Sequence, residues 1–222
     1  MKTLMLDPKV HTKFEKKLGG SSVALNLAKI AQSQLSERLG GLGKLAEAKN
    51  PLITEEAHRL EVSKAGQRLI ESASKEMASV CERYDSEIKR TELEMNQRLN
   101  LKESPLAPEI RNRLSTMSED QRNEALGRAI KNGDSEILSA VLGKNEILTG
   151  VSTAQQDMLK QQFLNTHAKH EVEVLTALKG SKNKFIDSLT SLDATIKNAV
   201  DFDAAKKSEQ AGAEYKNLSA SV

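Results

Sequence analysis

The sequence predicts an all-α fold, an elongated helical bundle built around one long central helix. Helical periodicity and helix caps recur along nearly the whole chain, whereas the alternation of β-branched and polar residues that marks strands is absent. Aromatic residues make up only 3% of the 222 residues, and there is no tryptophan. Because aromatic side chains dominate compact cores, we expect thin seams of aliphatic side chains between long helices.

The long helix is predicted over residues 54–100. Thr54 is a candidate N-cap, and Glu55 suits the positive first turn. Apolar and small residues recur about every 3.7 residues from Val62 to Leu99, which is longer than the repeat of about 3.5 in a heptad coiled coil. This stripe therefore stays on one face of a nearly straight or slightly right-handed helix. It needs partner helices from this chain or from other copies to cover it.

We expect the stripe to be an interface between copies, so that the protein forms a homo-oligomer. Apolar burial contributes about 25 cal/mol per Å², and repeated contacts along a helix of this length would hold a multimer together. The proposed interface residues are Leu69, Ala73, Met77, Val80, Tyr84, Ile88, Met95 and Leu99.

A shorter helix is predicted to begin after Ser22, which is its candidate N-cap. One face of this helix is expected to be its apolar side, and alanines at positions 24, 28 and 31 lie beside that face. The residues near this face are Val23, Leu27, Ile30, Gln34 and Leu35. Glycines at positions 40, 41 and 43 should end the helix in a hinge.

The second half of the chain carries clear helix boundaries. Ser118 and Gln121 form a capping box, and a second box begins at Ser152. Gly180 should separate two C-terminal helices. The predicted segments are a basic helical arm with a Gly-rich hinge (1–50), the long helix (51–103), a compact short-helix unit (104–150) and a C-terminal helical hairpin (151–222).

The charge is unevenly distributed. The formal net charge is +2, yet residues 1–50 hold nine Lys or Arg against four Asp or Glu. A basic arm can contact phosphates, although an overall pI near 8.5 is below that of dedicated nucleic-acid binders. A nucleic-acid-associated accessory protein is therefore the alternative function, and a merely solvated arm remains open. The proposed phosphate contacts are Lys9, Lys13, Lys16, Lys17 and Lys29.

No catalytic centre, cofactor, metal or small-molecule ligand is predicted. The glycines before Lys44 lack the spacing and the Ser or Thr of a phosphate-binding loop. His167 and His170 stand three residues apart, but no third metal ligand follows from the spacing. Cys81 adjoins the apolar stripe and suits a small buried side chain. We therefore expect a protein that is not an enzyme.

The chain is expected to be made and kept in a cytoplasm. Cys81 is its only cysteine, so no disulfide can form within the chain. The first residues contain only a short apolar run, which is interrupted by Asp7 and Pro8 and is too short for a secretory signal. No stretch approaches the roughly 18 apolar residues of a membrane span.

One segment resembles a known class of proteins. Residues 107–143, APEIRNRLSTMSEDQRNEALGRAIKNGDSEILSAVLG, are similar to segments of uncharacterised helical, virion-associated proteins of tailed bacteriophages and prophages. The resemblance implies synthesis in a host cell, association with the virion and contacts with other virion proteins. It implies a structural part in capsid assembly or DNA ejection, as a scaffold, an internal or ejected protein, or a connector accessory. No site residue carries over.

Overall fold

A computed structural model describes residues 11–18, 20, 22–48 and 50–220. Every regular element among these residues is an α-helix, which confirms the predicted all-α fold with one long helix and a set of short ones. The helices are α1 (Thr12–Leu18), α2 (Val23–Glu47), α3 (Glu55–Leu99), α4 (Ala107–Thr116), α5 (Glu119–Asn132), α6 (Ser135–Val141), α7 (Glu146–Thr149), α8 (Thr153–His167), α9 (Lys169–Ala199) and α10 (Phe202–Ala220).

The described chain forms two compact units. The first contains the described residues up to Glu87 and from Leu178 onward, and the second contains residues 88–177. The first unit therefore combines α1, α2, the first part of α3, the last part of α9 and α10. This division differs from the four consecutive segments expected from the sequence, because the first unit joins two stretches that are distant along the chain.

Helix α3 begins and ends close to the predicted positions. The Thr54 hydroxyl accepts a 3.2 Å hydrogen bond from the backbone N–H of Ala57, which caps the first turn. At the other end, Asn100 has a φ of 46°, a left-handed conformation that asparagine tolerates better than most residues. Every position of the 3.7-residue stripe is buried except Met77, which is half-buried. The periodicity therefore identified the buried face of α3.

Helix α2 does not end at its glycines, as the sequence predicted. It continues through positions 40, 41 and 43 to Glu47. Each glycine in a helix interior costs roughly 0.5–1 kcal/mol relative to alanine, so tertiary contacts must stabilise this part of the helix. Leu39 and Leu42 are buried on either side of the glycine pair. Their burial explains why the predicted hinge is a helix.

The second unit contains the predicted compact set of short helices. Both capping boxes are present, at Ser118 with Gln121 and at Ser152 with Gln155. Helix α4 packs against α6 and α7, and α5 packs against α6 and α8. The core of this unit contains Leu114, Leu126, Val141 and Val151.

The predicted C-terminal hairpin is corrected to three helices. Helix α8 ends at His167, and α9 runs from Lys169 to Ala199 with Gly180 in its interior. Gly180 does not end a helix, and its missing side chain leaves room for a neighbouring ring. A Cβ at this position would lie 3.0 Å from Cε1 of Phe14. Helix α10 follows after Asp201.

Candidate functional site

The α3 stripe is covered by helices of the same chain. In the first unit α3 and α9 run antiparallel, since Tyr84 contacts Ser181 while a Cβ at Gly66 would lie 3.2 Å from Cγ2 of Ile196. On another side, Arg38 of α2 forms a 2.8 Å ion pair with Glu76.

The residues proposed as an interface between copies are therefore core residues here. Seven of the eight are buried and Met77 is half-buried. Their apolar area is already covered within one chain, so this conformation offers little of the stripe to a second copy. The α3 stripe requires partner helices to cover it, and helices of the same chain provide this cover.

An exposed apolar stripe lies instead on α2. Val23, Leu27 and Ile30 are 44%, 40% and 53% exposed, and their spacing of four and then three residues places them on one helix face. These three side chains were predicted to lie on the apolar face of α2 together with Leu35, which is buried. The rest of the buried side of α2 is formed by Ala24, Leu25, Ala28 and Ala31.

A signal for this orientation was present in the sequence. Ala24, Ala28 and Ala31 recur with the same spacing on the face that packs against the rest of the unit. Small side chains let neighbouring helices approach closely, so a run of alanines can mark the inner face. We call the outer set, Val23, Leu27 and Ile30, the α2 stripe.

The predicted phosphate-contacting lysines differ in their surroundings. Lys13, Lys16 and Lys17 are exposed on α1. Lys29 is only partly exposed and forms an ion pair with Glu15. Lys9 lies outside the described residues. The structure therefore groups three of the five lysines on one short helix.

A buried polar cluster joins α1, α3 and α9 in the first unit. Nδ1 of His11 lies 2.8 Å from Oγ of Ser181, and the same oxygen lies 2.7 Å from the Tyr84 hydroxyl. All three side chains are fully buried. No local pattern in the sequence marks His11 as part of this cluster, because its partners are far away along the chain.

His167 has a structural contact in the second unit. Its Nε2 lies 2.6 Å from the backbone carbonyl oxygen of Ile130 near the end of α5. His170 is exposed on α9. Within the ranges that the structure describes, no group of three or more His, Cys, Asp or Glu side chains is placed to hold a metal ion.

Cys81 is half-buried on α3. Burial raises the pKa of its thiol, Lys182 opposes this shift, and Asp85 adds to it. Because the thiolate is the reactive form of cysteine, the higher pKa lowers the thiolate fraction at neutral pH. Cys81 is less buried than the sequence predicted.

The second unit has an open cleft of about 610 Å³. Leu93 and Leu101 contribute apolar area, while Lys102, Asp157 and Lys160 contribute charge. Buried Gln156 lines it too, but its amide is used by the chain itself. It accepts a hydrogen bond from the Gly143 backbone and donates to the carbonyl oxygens of Lys144 and Val151.

Comparison with known proteins gives no match to a family model, a curated protein or a solved structure. None of the described helices is long and apolar enough to cross a membrane.

Proposed function

We propose that this chain is a non-enzymatic helical structural or assembly protein, a virion-associated component of a tailed bacteriophage, that acts by self-association. The observation that carries the proposal is the α2 stripe. Val23, Leu27 and Ile30 are large apolar side chains, and they stay exposed on a helix whose opposite face is core. Exposed apolar side chains grouped on one face mark contact surfaces.

Each contact made through the α2 stripe would be weak, so association would require many such contacts. Three side chains are far fewer than the roughly 20–30 residues on each side of a standard interface. Association through this stripe would therefore depend strongly on concentration or use further contacts. In a multimer such contacts are repeated, and each contributes about 25 cal/mol for every Å² of apolar area that it buries.

Light scattering of the purified chain tests the self-association. We expect the mass to rise with concentration above the 24.3 kDa of one chain. A Leu27→Lys/Ile30→Lys variant should stay at the mass of one chain, because both charges lie on the exposed stripe. The matched control is Leu93→Lys, which replaces an exposed leucine of the second unit and should associate like the wild type. A wild-type protein of one-chain mass at every concentration would contradict the proposal.

The virion assignment is supported by the resemblance of residues 107–143, which contain α4, α5 and α6 of the second unit. Quantifying the chain in immature and mature particles tests it. A scaffold is present early and lost later, whereas an ejected protein leaves with the DNA. A connector accessory remains at a copy number that matches the particle symmetry. Absence from particles at both stages would refute the assignment.

The second candidate is a nucleic-acid-associated accessory protein, which the three exposed lysines of α1 favour. Three phosphate contacts predict that affinity for duplex DNA falls roughly 40-fold between about 50 and 200 mM salt. Fluorescence anisotropy measures this directly. A Lys13→Gln/Lys16→Gln/Lys17→Gln variant should lose binding, while Lys206→Gln/Lys207→Gln, at exposed positions of α10, should keep it. Equal binding by both variants would exclude the α1 lysines as the contact.

A further inference from the structure

His11 attaches α1 to the core of the first unit. It directly precedes the first residue of α1 and is fully buried. Its Nδ1 shares a 2.8 Å hydrogen bond with the Ser181 hydroxyl of α9, and Ser181 in turn contacts the Tyr84 hydroxyl of α3 at 2.7 Å. A chain of three buried polar groups therefore links three helices.

The second ring nitrogen of His11 has no such contact. By geometry, Nε2 is buried without a hydrogen-bond partner among the described residues, and the same is true of both amide atoms of Gln32. The Gln32 side chain favours the protonated ring as a hydrogen-bonding neighbour, but it raises the pKa of His11 less than burial lowers it. Protonation of His11 would place a positive charge in this site, away from water. A buried charge that is not well compensated is costly, so the docked state favours the neutral ring.

Among the described residues, the charged groups near His11 are paired with one another. Glu15 of α1 and Lys29 of α2 form an ion pair with each other. Lys182 of α9 forms an ion pair with Asp85 of α3. Burial lowers the pKa of His11 and Lys29 adds to this effect, while Gln32 and Glu15 act in the opposite direction.

Helix α1 depends on contacts with the rest of the first unit. It has only seven residues, and helices this short are not stable alone in water. Besides His11, its contacts include Leu18, which is buried, and the ring of Phe14, which fills the space beside Gly180. Together with the ion pair between Glu15 and Lys29, these contacts hold α1 beside His11, so loss of the His11 contact would weaken the docking.

The start of α2 is held independently of α1. The Ser22 hydroxyl caps Leu25 and donates a 2.7 Å hydrogen bond to Glu87 of α3. The other oxygen of Glu87 accepts a 2.9 Å hydrogen bond from the Ala24 backbone. Helix α1 can therefore leave the unit without unwinding α2.

We propose that α1 is a pH-controlled latch, docked when His11 is neutral and released when His11 takes up a proton. The released state holds the proton at the ordinary pKa of 6.5, whereas burial lowers the pKa in the docked state. Docking is thus fully effective above about pH 6.5 and weakens as the pH falls below it. This device concerns the chain's own conformation and does not depend on the proposed function.

Hydrogen–deuterium exchange of residues 12–18 tests the latch. With exchange corrected for its intrinsic pH dependence, we expect protection to fall between about pH 6.5 and 5, by at most about tenfold per pH unit for one proton. Protection of the α9 core should not change over the same range. A His11→Gln variant, which cannot take up the proton, should show no such pH dependence. The matched control His170→Gln changes an exposed histidine and should behave like the wild type.

Two results would overturn the proposal. One is unchanged protection of residues 12–18 down to pH 5 in the wild type. The other is a parallel loss of protection in α9, which would indicate general acid unfolding. If His11→Gln fails to fold, NMR titration of the four histidines in the wild type decides the question. His11 must then titrate below the ordinary range, together with the amide signals of α1, and a His11 that titrates at 6.5 or above refutes the latch.

Discussion

Tyr84 illustrates how a single polar atom is accommodated in a core that contains few aromatic side chains. Its ring is fully buried on α3, and its hydroxyl contacts Ser181 at 2.7 Å. Burial raises the pKa of this phenol to about 12, because the phenolate would lose its hydration, and the bond to Ser181 offsets part of the effect. The folded chain therefore keeps the phenol proton more tightly than the unfolded chain does.

This difference gives a direct test of the Tyr84 environment. The stabilisation is complete below pH 10.0 and is lost as the pH rises through about 12. Absorbance at alkaline pH should therefore show one of the two tyrosines ionising near 12. The Tyr84→Phe variant should lack that transition. Ionisation of both wild-type tyrosines near pH 10, while the chain is still folded, would contradict the burial of the Tyr84 hydroxyl.

Helix α2 shows how an element can form against its local preferences. Gly40 and Gly41 are exposed, and a Cβ on either would meet nothing within 4 Å. Gly66 of α3 is different, since a Cβ there would lie 3.2 Å from Cγ2 of Ile196 and 3.3 Å from Cγ2 of Val200. The glycines of α2 are thus open positions, while Gly66 permits close packing of α3 on α9.

Two alanine substitutions separate these cases. Gly41→Ala should raise the free energy of unfolding by about 0.5–1 kcal/mol, because it removes backbone freedom from the unfolded chain and meets no neighbour. Gly66→Ala should lower it by about 1–3 kcal/mol, since side chains of α9 must move. Urea unfolding measures both. An equal gain in the two variants would show that α3 and α9 do not pack as closely as observed.

The chain has two apolar stripes, one on α3 that is buried and one on α2 that is exposed. Val80 is buried in the first unit, whereas Ile30 is 53% exposed. The contact between copies was predicted on the α3 stripe. In the structure the α3 stripe is part of the core, and the α2 stripe is exposed.

An aspartate at each position distinguishes stability from association. Val80→Asp should cost several kcal/mol of stability, because the carboxylate would be buried without a partner. Ile30→Asp should change the unfolding temperature little and reduce the mass seen by light scattering. If Val80→Asp instead melts like the wild type and only reduces the mass, α3 is the contact between copies, as the sequence analysis expected.

The sequence by itself determined the features that depend on neighbours a few residues away. The all-α class, both capping boxes and the buried face of α3 could be predicted, because caps and helical periodicity are set within one or two turns. Thr54, Ser118 and Ser152 all cap helices as predicted.

The tertiary structure alone decided what depends on residues far apart along the chain. Ser181 lies 97 positions from Tyr84 and 170 from His11, so no local pattern could join them. Other contacts between distant parts of the chain cover the α3 stripe. The burial of Leu39 and Leu42 likewise supports α2 through its glycines. Helical periodicity predicts which face of a helix is buried, but only the tertiary structure shows which helices cover that face.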